Sequence, residues 1–142
     1  MRNGYPIELA RERVISGCHW AAIPGKEYTL NDIVKINFAA VFQVALQEML
    51  GDPALPCSAD TLLASYRAHL DRAVDCVKKG IDHHLRHAHK VKPEVPLDLL
   101  CHGTIERGRD VTNGGVDHYN MCIDGAGLAT VADSFAAVEQ RI

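Results

Sequence analysis

The chain has 142 residues, of which 47% are hydrophobic and 23% are charged, and its formal net charge is −3. This length and composition are typical of one soluble globular domain. Because the lysine and arginine residues are scattered, neither nucleic acid nor an anionic membrane surface is an expected partner. The sequence has no apolar stretch of membrane-spanning length, no signal-peptide pattern and no Cys-x-x-Cys pair among its five cysteines. We therefore expect a reduced, cytoplasmic protein.

The first predicted elements lead into and out of a cysteine. A short helix is predicted from Pro6 to Val14, with a proline in its first turn. The next stretch, Ile15 to Tyr28, places Gly17 before Cys18 and then turns at Pro24-Gly25. Glycine permits a tight backbone and a Pro-Gly pair turns the chain. The pattern therefore predicts a loop that presents the Cys18 thiol between apolar flanks.

A long amphipathic helix is predicted after this loop. Apolar residues recur at intervals of three and four positions from Leu30 to Leu50, and Thr29 or Asn31 can serve as its N-cap. The sequence Gly51-Asp52-Pro53 is expected to end this helix.

The second half of the chain contains one more long helix and several short elements. The helix is predicted from a cap at Ser58-Ala59-Asp60 to about His89, and prolines then break the chain. A polar, turn-rich segment, Ile105 to Gly115, follows, and Tyr119 to Ile123 is predicted to be a short strand. A final helix is predicted to open at Gly125-Ala126-Gly127.

Cys18 is the first candidate for chemistry, because the glycine before it and the polar and aromatic residues after it are unusual around a core position. The alternative is a buried structural thiol, which is the common role of a free cysteine. His19 is adjacent and is a candidate base for nucleophilic catalysis. Neighbouring residues of a strand point to opposite faces, however, which argues against direct pairing with Cys18.

A second candidate is the histidine tract from His83 to His89. His83 and His87 are four positions apart on one helical face, a spacing that can chelate zinc. No third ligand is near in sequence, and cationic side chains are favoured at a helix carboxyl terminus. A solvated helix end is the favoured interpretation of the tract.

Two further features have structural and functional interpretations. Gly125-Ala126-Gly127 before a helix can receive an anion, but a site of close backbone packing is favoured. Glu106, Arg107, Arg109 and Asp110 can form a salt-bridged surface turn, although the adjacent Gly114-Gly115 indicates a demanding backbone geometry.

Two segments of the chain resemble the glycyl radical enzymes. The first contains Ser16-Gly17-Cys18, then Pro24-Gly25-Lys26 and Ile36-Asn37-Phe38-Ala39, and is similar to the family's thiyl-cysteine loop and the helix after it. The second runs from Thr104 to Gly115 and continues through Tyr119-Asn120 to an Ala-Asp-Ser element at Ala132-Asp133-Ser134. It is similar to the family's Ile-Glu-Arg-Gly-Lys-Asp-Val-Thr-x-Gly-Gly segment and the elements that follow it. Order and spacing match as well, so the resemblance covers nearly the whole chain.

The resemblance implies an α/β fold that is part of a ten-stranded barrel and predominantly helical within this fragment. It implies that Cys18 is catalytic, as a thiyl radical that abstracts a hydrogen atom from a substrate. A radical stored on a glycine would supply it after installation by a radical-SAM activating enzyme, with no other cofactor bound. The complete enzyme is expected to be a homodimer. Residues 1–142 are expected to form an internal part of the catalytic domain, without the N-terminal half and the glycyl radical loop, and to be inactive alone.

One departure from the family bears on the reaction. Many lyases of the family have Cys-x-Glu, with the glutamate as a base, whereas Trp20 is the second residue after Cys18. An indole cannot accept a proton at neutral pH. Trp20 and His19 are therefore candidates for substrate binding, and an aromatic or apolar carboxylate is the substrate class that an apolar pocket would suit. Plain packing is the alternative role of Trp20.

The resemblance predicts a lyase or decarboxylase acting on a C–C or C–X bond, or a radical-addition synthase. Two other classes remain open from the residues alone. One is a non-catalytic helical module that binds a metal through the histidine tract. The other is a cysteine hydrolase, in which Cys18 would be alkylated rapidly near neutral pH.

Overall fold

Six α-helices and four β-strands form a mixed α/β fold in the computed structural model, which describes residues 5–16 and 20–141. Their order along the chain is α1 (Ile7–Arg11), β1 (Val14–Ser16), β2 (Trp20–Ala22), β3 (Glu27–Asn37), α2 (Phe38–Gly51), α3 (Ala59–Val91), α4 (Val95–Asp98), α5 (Thr104–Arg107), a 3-10 turn (Val111–Asn113), β4 (His118–Ala126) and α6 (Leu128–Glu139). β1 pairs with β2, and β3 pairs with β4, in two-stranded sheets. Among the described residues, no helix has both the length and the apolarity needed to cross a bilayer.

The chain divides into two compact units. The first unit contains Met1–Ile33 and Gly80–Cys122, and the second contains Val34–Lys79 and Ile123–Ile142. The division falls within β3, α3 and β4, so neither unit is a continuous stretch of sequence.

The prediction of a helix from Leu30 was wrong over its first part. Residues Glu27–Asn37 form β3, and the helix α2 begins only at Phe38. Apolar residues recur at every second position over much of this stretch, as at Tyr28 and Leu30 and again at Val34 and Ile36. This period of two is that of a half-buried strand, and the β-branched side chains favour the extended form. The N-cap of this helix is Asn37, not Thr29 or Asn31 as predicted, and the Asn37 side chain accepts a hydrogen bond from the Ala40 N–H at 3.1 Å.

The second unit has a helical core. Its buried members are Phe42, Ala45 and Met49 of α2, Leu62 and Tyr66 of α3, and Val131 of α6. Three aromatic rings meet here edge to face or tilted, with Phe135 lying 5.0 Å from Phe42 and 5.6 Å from Tyr66 between ring centroids. Such contacts add to the burial of apolar surface, which is the main source of stability in this core.

The two later helices predicted from the sequence, α3 and α6, were confirmed. The hydroxyl of Ser58 accepts a hydrogen bond from the Thr61 N–H at 3.2 Å, as expected of the cap of α3. α6 follows Gly127, whose φ of 83° is the left-handed conformation that glycine adopts readily. Gly125 contacts the ring of Phe38 so closely that a Cβ would lie 2.3 Å from it. This contact supports the close-packing interpretation of Gly125-Ala126-Gly127 over an anion site.

The first unit has a smaller core formed by Tyr28, Val111 and Val116. Tyr119 packs against it from β4, with its ring centroid 6.1 Å from that of Tyr28. The predicted strand from Tyr119 to Ile123 is the central part of β4. The first unit thus combines the segment around Cys18 with the polar turn that precedes β4.

Candidate active-site segment

The strands on both sides of Cys18 are paired with each other. β1 and β2 run antiparallel, with Ser16 opposite Trp20. Cys18 and His19 lie outside the described residues and occupy the chain between these two positions. Trp20 is partly buried in β2. The chain therefore enters and leaves the Cys18 segment at neighbouring points.

A buried carboxylate holds the base of this strand pair. The Glu27 side chain has no exposed surface, and its Oε2 accepts a hydrogen bond from the Ile23 backbone N–H at 2.8 Å. Its Oε1 lies 3.5 Å from Nη2 of Arg13. Arg13 precedes β1 and Ile23 follows β2, so Glu27 joins the two ends of the pair. A buried charge of this kind is stable only when it is partnered. A second, exposed ion pair, Glu12 with Lys26 at 2.6 Å, links the same two segments.

A side chain of β4 forms a hydrogen bond to β2. Nδ2 of Asn120 donates a hydrogen bond of 2.8 Å to the backbone carbonyl of Ala21. Asn120 belongs to the Tyr-Asn element of the second motif, and Ala21 follows the cysteine segment. The two motifs on which the family resemblance rests are therefore in direct contact.

Asp110 organises the polar turn of the second motif. Its Oδ1 accepts a hydrogen bond from the Thr112 N–H at 2.8 Å, and its Oδ2 accepts one from the Glu94 N–H at 2.7 Å. Burial raises the pKa of the Asp110 carboxyl, but the hydrogen bonds from Thr112 and Glu94 outweigh this effect and leave the pKa below its usual value. These bonds all favour the charged form. Asp110 is therefore a structural carboxylate that holds the turn in place.

The backbone of this turn requires its glycines. Gly114 has a φ of 83°, and a Cβ on Gly115 would lie 2.3 Å from the carbonyl oxygen of Arg109. Arg107 donates from Nη1 to the Gly115 carbonyl at 2.7 Å and forms an ion pair with Asp117. The expected demanding backbone geometry is thus found in this turn. The ion pair of Arg107 is with Asp117, which lies outside the predicted group of Glu106, Arg107, Arg109 and Asp110.

Tyr119 connects the turn to β4. Its hydroxyl donates to the Val111 carbonyl and accepts from the Gly114 N–H, both at 2.6 Å. Burial raises the pKa of Tyr119, and it also raises the pKa of Tyr28, where the carboxylates of Glu94 and Asp110 add to the effect. Both phenols therefore remain neutral at ordinary pH.

The histidine tract lies near the carboxyl end of α3. His83 and His87 are exposed and their ring centroids are 4.3 Å apart. Among the described residues, no group of three or more histidine, cysteine or acidic side chains could hold a metal ion. The predicted pair on one helical face is therefore present without a third protein ligand in that part of the chain.

Two positioning residues were not predicted from the sequence. Glu27 lies in a stretch that was assigned to loop, but the Pro24-Gly25 turn followed by a partly alternating pattern is a signal for the start of a strand. Asn120 was recognised only as part of a motif. Its partner is 99 residues away, so no local pattern could have identified the contact.

Comparison with known proteins identifies relatives of the whole segment. Residues 1–142 match the family model described as pyruvate formate lyase-like. The chain is 26% identical to (2S)-3-sulfopropanediol dehydratase of Klebsiella oxytoca and 25% identical to trans-4-hydroxy-L-proline dehydratase of Clostridioides difficile, in each case over all of this chain. It spans 19% of the length of each of these two relatives.

A solved structure of a related protein matches the fold of this chain. A glycyl radical enzyme from Archaeoglobus fulgidus matches 90% of this chain with a TM-score of 0.79 and 28% sequence identity. The matched region is 18% of that enzyme's chain. The arrangement of helices and strands described above is thus also found within a much longer protein.

Proposed function

The chain belongs to the pyruvate formate lyase-like family, and on that premise we propose that it is a segment of the catalytic domain of a glycyl radical enzyme in which Cys18 abstracts hydrogen. The family match over residues 1–142 is the observation that carries this proposal. In the complete enzyme the segment would form part of a ten-stranded α/β barrel. That enzyme would break or form a C–C or C–X bond of a small molecule.

The proposed step is the transfer of one hydrogen atom. The sulfur radical of Cys18 takes the hydrogen of a substrate C–H bond, so that an S–H bond forms, the C–H bond breaks and the unpaired electron moves to carbon. The two bonds are similar in strength when the C–H bond is activated, which makes the step reversible. Such a site must exclude water and hold its reactants in place. The buried Glu27 and the hydrogen bond from Asn120 support this role, because they fix the strands from which the Cys18 segment extends.

The identity of Trp20, the residue after His19, bears on the type of reaction that the enzyme catalyses. The two relatives are named as dehydratases, which favours cleavage of a C–X bond such as C–O. Trp20 stands where many lyases of the family have a glutamate base, and an indole only donates hydrogen bonds. Elimination would therefore need a base from elsewhere in the enzyme. We propose that Trp20 and His19 line a substrate pocket with an apolar wall, which suits an aromatic or apolar carboxylate.

The remaining parts of the proposal concern the complete protein. A glycyl radical in another segment would reload Cys18, after installation by a radical-SAM activating enzyme. A homodimer in the cytoplasm is the expected assembly. The 142-residue chain alone is expected to be inactive, because it contains 19% of the length of its dehydratase relatives.

The test uses the complete protein that contains this segment, identified from the coding sequence on both sides. After anaerobic activation, we expect the electron paramagnetic resonance doublet of a glycyl radical. The Cys18→Ala variant is expected to keep the doublet and lose all turnover. The Cys76→Ala variant is the control, since Cys76 is exposed on α3, and it should keep both. Turnover by Cys18→Ala, or flanking sequence without a barrel and a radical loop, would refute the proposal.

Product analysis distinguishes the reaction types. Candidate substrates are a 1,2-diol, trans-4-hydroxy-L-proline and an arylacetate, each supplied to the activated protein. Release of CO₂ from the arylacetate would support the apolar pocket proposed for Trp20. Rapid dehydration of the diol, with the arylacetate inert, would contradict that part of the proposal.

A further inference from the structure

The carboxyl-terminal part of α3 borders a cavity of about 420 Å³ that the proposed function does not use. His83, His84 and His87 line this cavity, together with Tyr28, Lys92 and several apolar side chains. All of these residues belong to the first unit. The cavity therefore combines several imidazole groups with an apolar wall.

Two of these imidazoles have the geometry of a chelating pair. His83 and His87 are one helical turn apart, and their ring planes are inclined by 33° with centroids 4.3 Å apart. Residues at this spacing share a face of the helix. Because a zinc–nitrogen bond is about 2.0–2.1 Å long, two rings this close can both reach one ion after small side-chain rotations. Both side chains are exposed, so an ion can reach them from solvent.

A hydrogen bond fixes the form of His87. Its Nδ1 lies 2.8 Å from the backbone carbonyl of His83. A carbonyl can only accept, so Nδ1 carries a hydrogen, and in the neutral ring the lone pair is then on Nε2. Metal-binding histidines are commonly oriented by such a bond from the other ring nitrogen. His87 is therefore held in the tautomer that a metal ligand needs.

The charges at the wall of this cavity also permit a cation to bind there. Lys92 is the cationic side chain of the cavity wall, and its ammonium group pairs with Oε1 of Glu94 at 3.4 Å. Imidazole nitrogen is a preferred ligand of zinc, copper, nickel and cobalt, whereas magnesium and calcium prefer oxygen. With two protein ligands among the described residues, water or an external donor would complete the coordination.

We propose that His83 and His87 form a two-histidine site for a divalent transition-metal ion at the carboxyl end of α3. The pair and its fixed tautomer favour this role over that of a solvated helix end. The site does not depend on the radical chemistry proposed for Cys18, and its failure would leave that proposal unaffected.

The test is calorimetric titration of the untagged 142-residue chain with zinc chloride. We expect saturable binding of one ion, reversed by a chelator. Loss of an outer-shell partner already weakens metal binding by roughly 10- to 100-fold. We therefore expect His83→Ala and His87→Ala each to weaken binding by at least roughly tenfold, because each removes a ligand. His102→Ala is the control, because it removes an exposed imidazole that is not among the residues lining this cavity and leaves the pair intact.

Nuclear magnetic resonance gives a second measurement that needs no variant. Long-range nitrogen–proton spectra are expected to show His87 with its hydrogen on Nδ1, and zinc should shift its Nε2 resonance. Circular dichroism checks that each variant keeps the wild-type helix content. Absence of saturable binding, equal losses in His102→Ala and His83→Ala, or displacement of zinc by an equal amount of magnesium would each overturn the assignment.

Discussion

Nδ2 of Asn120 lies 2.8 Å from the backbone carbonyl oxygen of Ala21, although 99 residues separate the two in sequence. The contact joins β4 to the strand that leaves the Cys18 segment. Because the acceptor is a backbone group, the bond fixes the main chain of β2 rather than one side chain. Ala21 follows Trp20, the single tryptophan of the chain. Fluorescence of this residue therefore reports directly on β2.

The Asn120→Ala substitution is expected to loosen β2. It leaves the Ala21 carbonyl without this donor, which should lower the free energy of unfolding by about 1 kcal/mol. We expect stronger acrylamide quenching of Trp20 fluorescence, because the partly buried indole becomes more accessible. Urea unfolding and quenching titrations measure the two effects.

Asn113→Ala is the control for this prediction. Asn113 is exposed at the end of the 3-10 turn, and a surface substitution of this kind usually changes stability by less than about 0.5 kcal/mol. Its Trp20 quenching should equal that of the wild type. Equal quenching in both variants would show that Asn120 does not hold β2.

Glu27→Ala and Glu12→Ala form a matched pair of substitutions. Each removes an acidic partner from a bridge between the same two segments, but Glu27 is fully buried and Glu12 is 48% exposed. Glu27→Ala leaves Arg13 and the Ile23 N–H without their partner, which should cost roughly 2–3 kcal/mol. Glu12→Ala should cost less than about 1 kcal/mol, because water solvates Lys26 readily. Urea unfolding of both variants is the measurement, and equal losses would contradict the role given to Glu27.

Local sequence patterns predicted the helices α3 and α6, whose formation depends on interactions between nearby residues. The Ser58 cap and the long apolar face predicted α3, and Gly127 predicted the start of α6, because capping and helix periodicity are decided within a few residues. The stretch from Leu30 to Asn37 was misassigned. Its apolar residues fit a helical period as a continuation of α2, whereas the observed strand is selected by pairing with β4, which is distant in sequence.

The candidate site was less predictable than the elements. Cys18 could be singled out by its neighbours and by the family resemblance, and its role stays a proposal. The supporting contacts could not be derived, because Asn120 meets Ala21 through the tertiary fold and the burial of Glu27 depends on Arg13 in another segment. A sequence pattern shows which residues suit a site, but long-range packing decides which of them hold it together.

Gly115→Ala is expected to disrupt the turn that precedes β4. The new Cβ would lie 2.3 Å from the carbonyl oxygen of Arg109 and 2.7 Å from that of Asp110, and both contacts are with backbone that cannot rotate away. We expect a loss of roughly 3 kcal/mol, as for severe overpacking. Gly80→Ala should have the opposite effect, a gain of about 1 kcal/mol, because Gly80 lies in α3 with open space around it. Thermal unfolding of both variants measures the contrast, and a tolerated Gly115→Ala would contradict the close approach.

The Asp110 carboxylate is expected to stabilise the chain in a pH-dependent manner. Its pKa is lowered in the folded state from 3.8, the value taken for an unperturbed aspartate. The contribution is therefore complete above about pH 4 and is lost as the pH falls through the lower folded value, because the unfolded chain then binds the proton more readily. Asp110→Asn lacks this titration but keeps a side-chain oxygen that accepts hydrogen bonds. The difference in unfolding free energy between wild type and Asp110→Asn should be large at pH 6 and shrink steadily below pH 4, as measured by urea unfolding across that range. A difference that stays constant with pH would mean that the hydrogen bonds from Thr112 and Glu94 do not depend on the charge of Asp110.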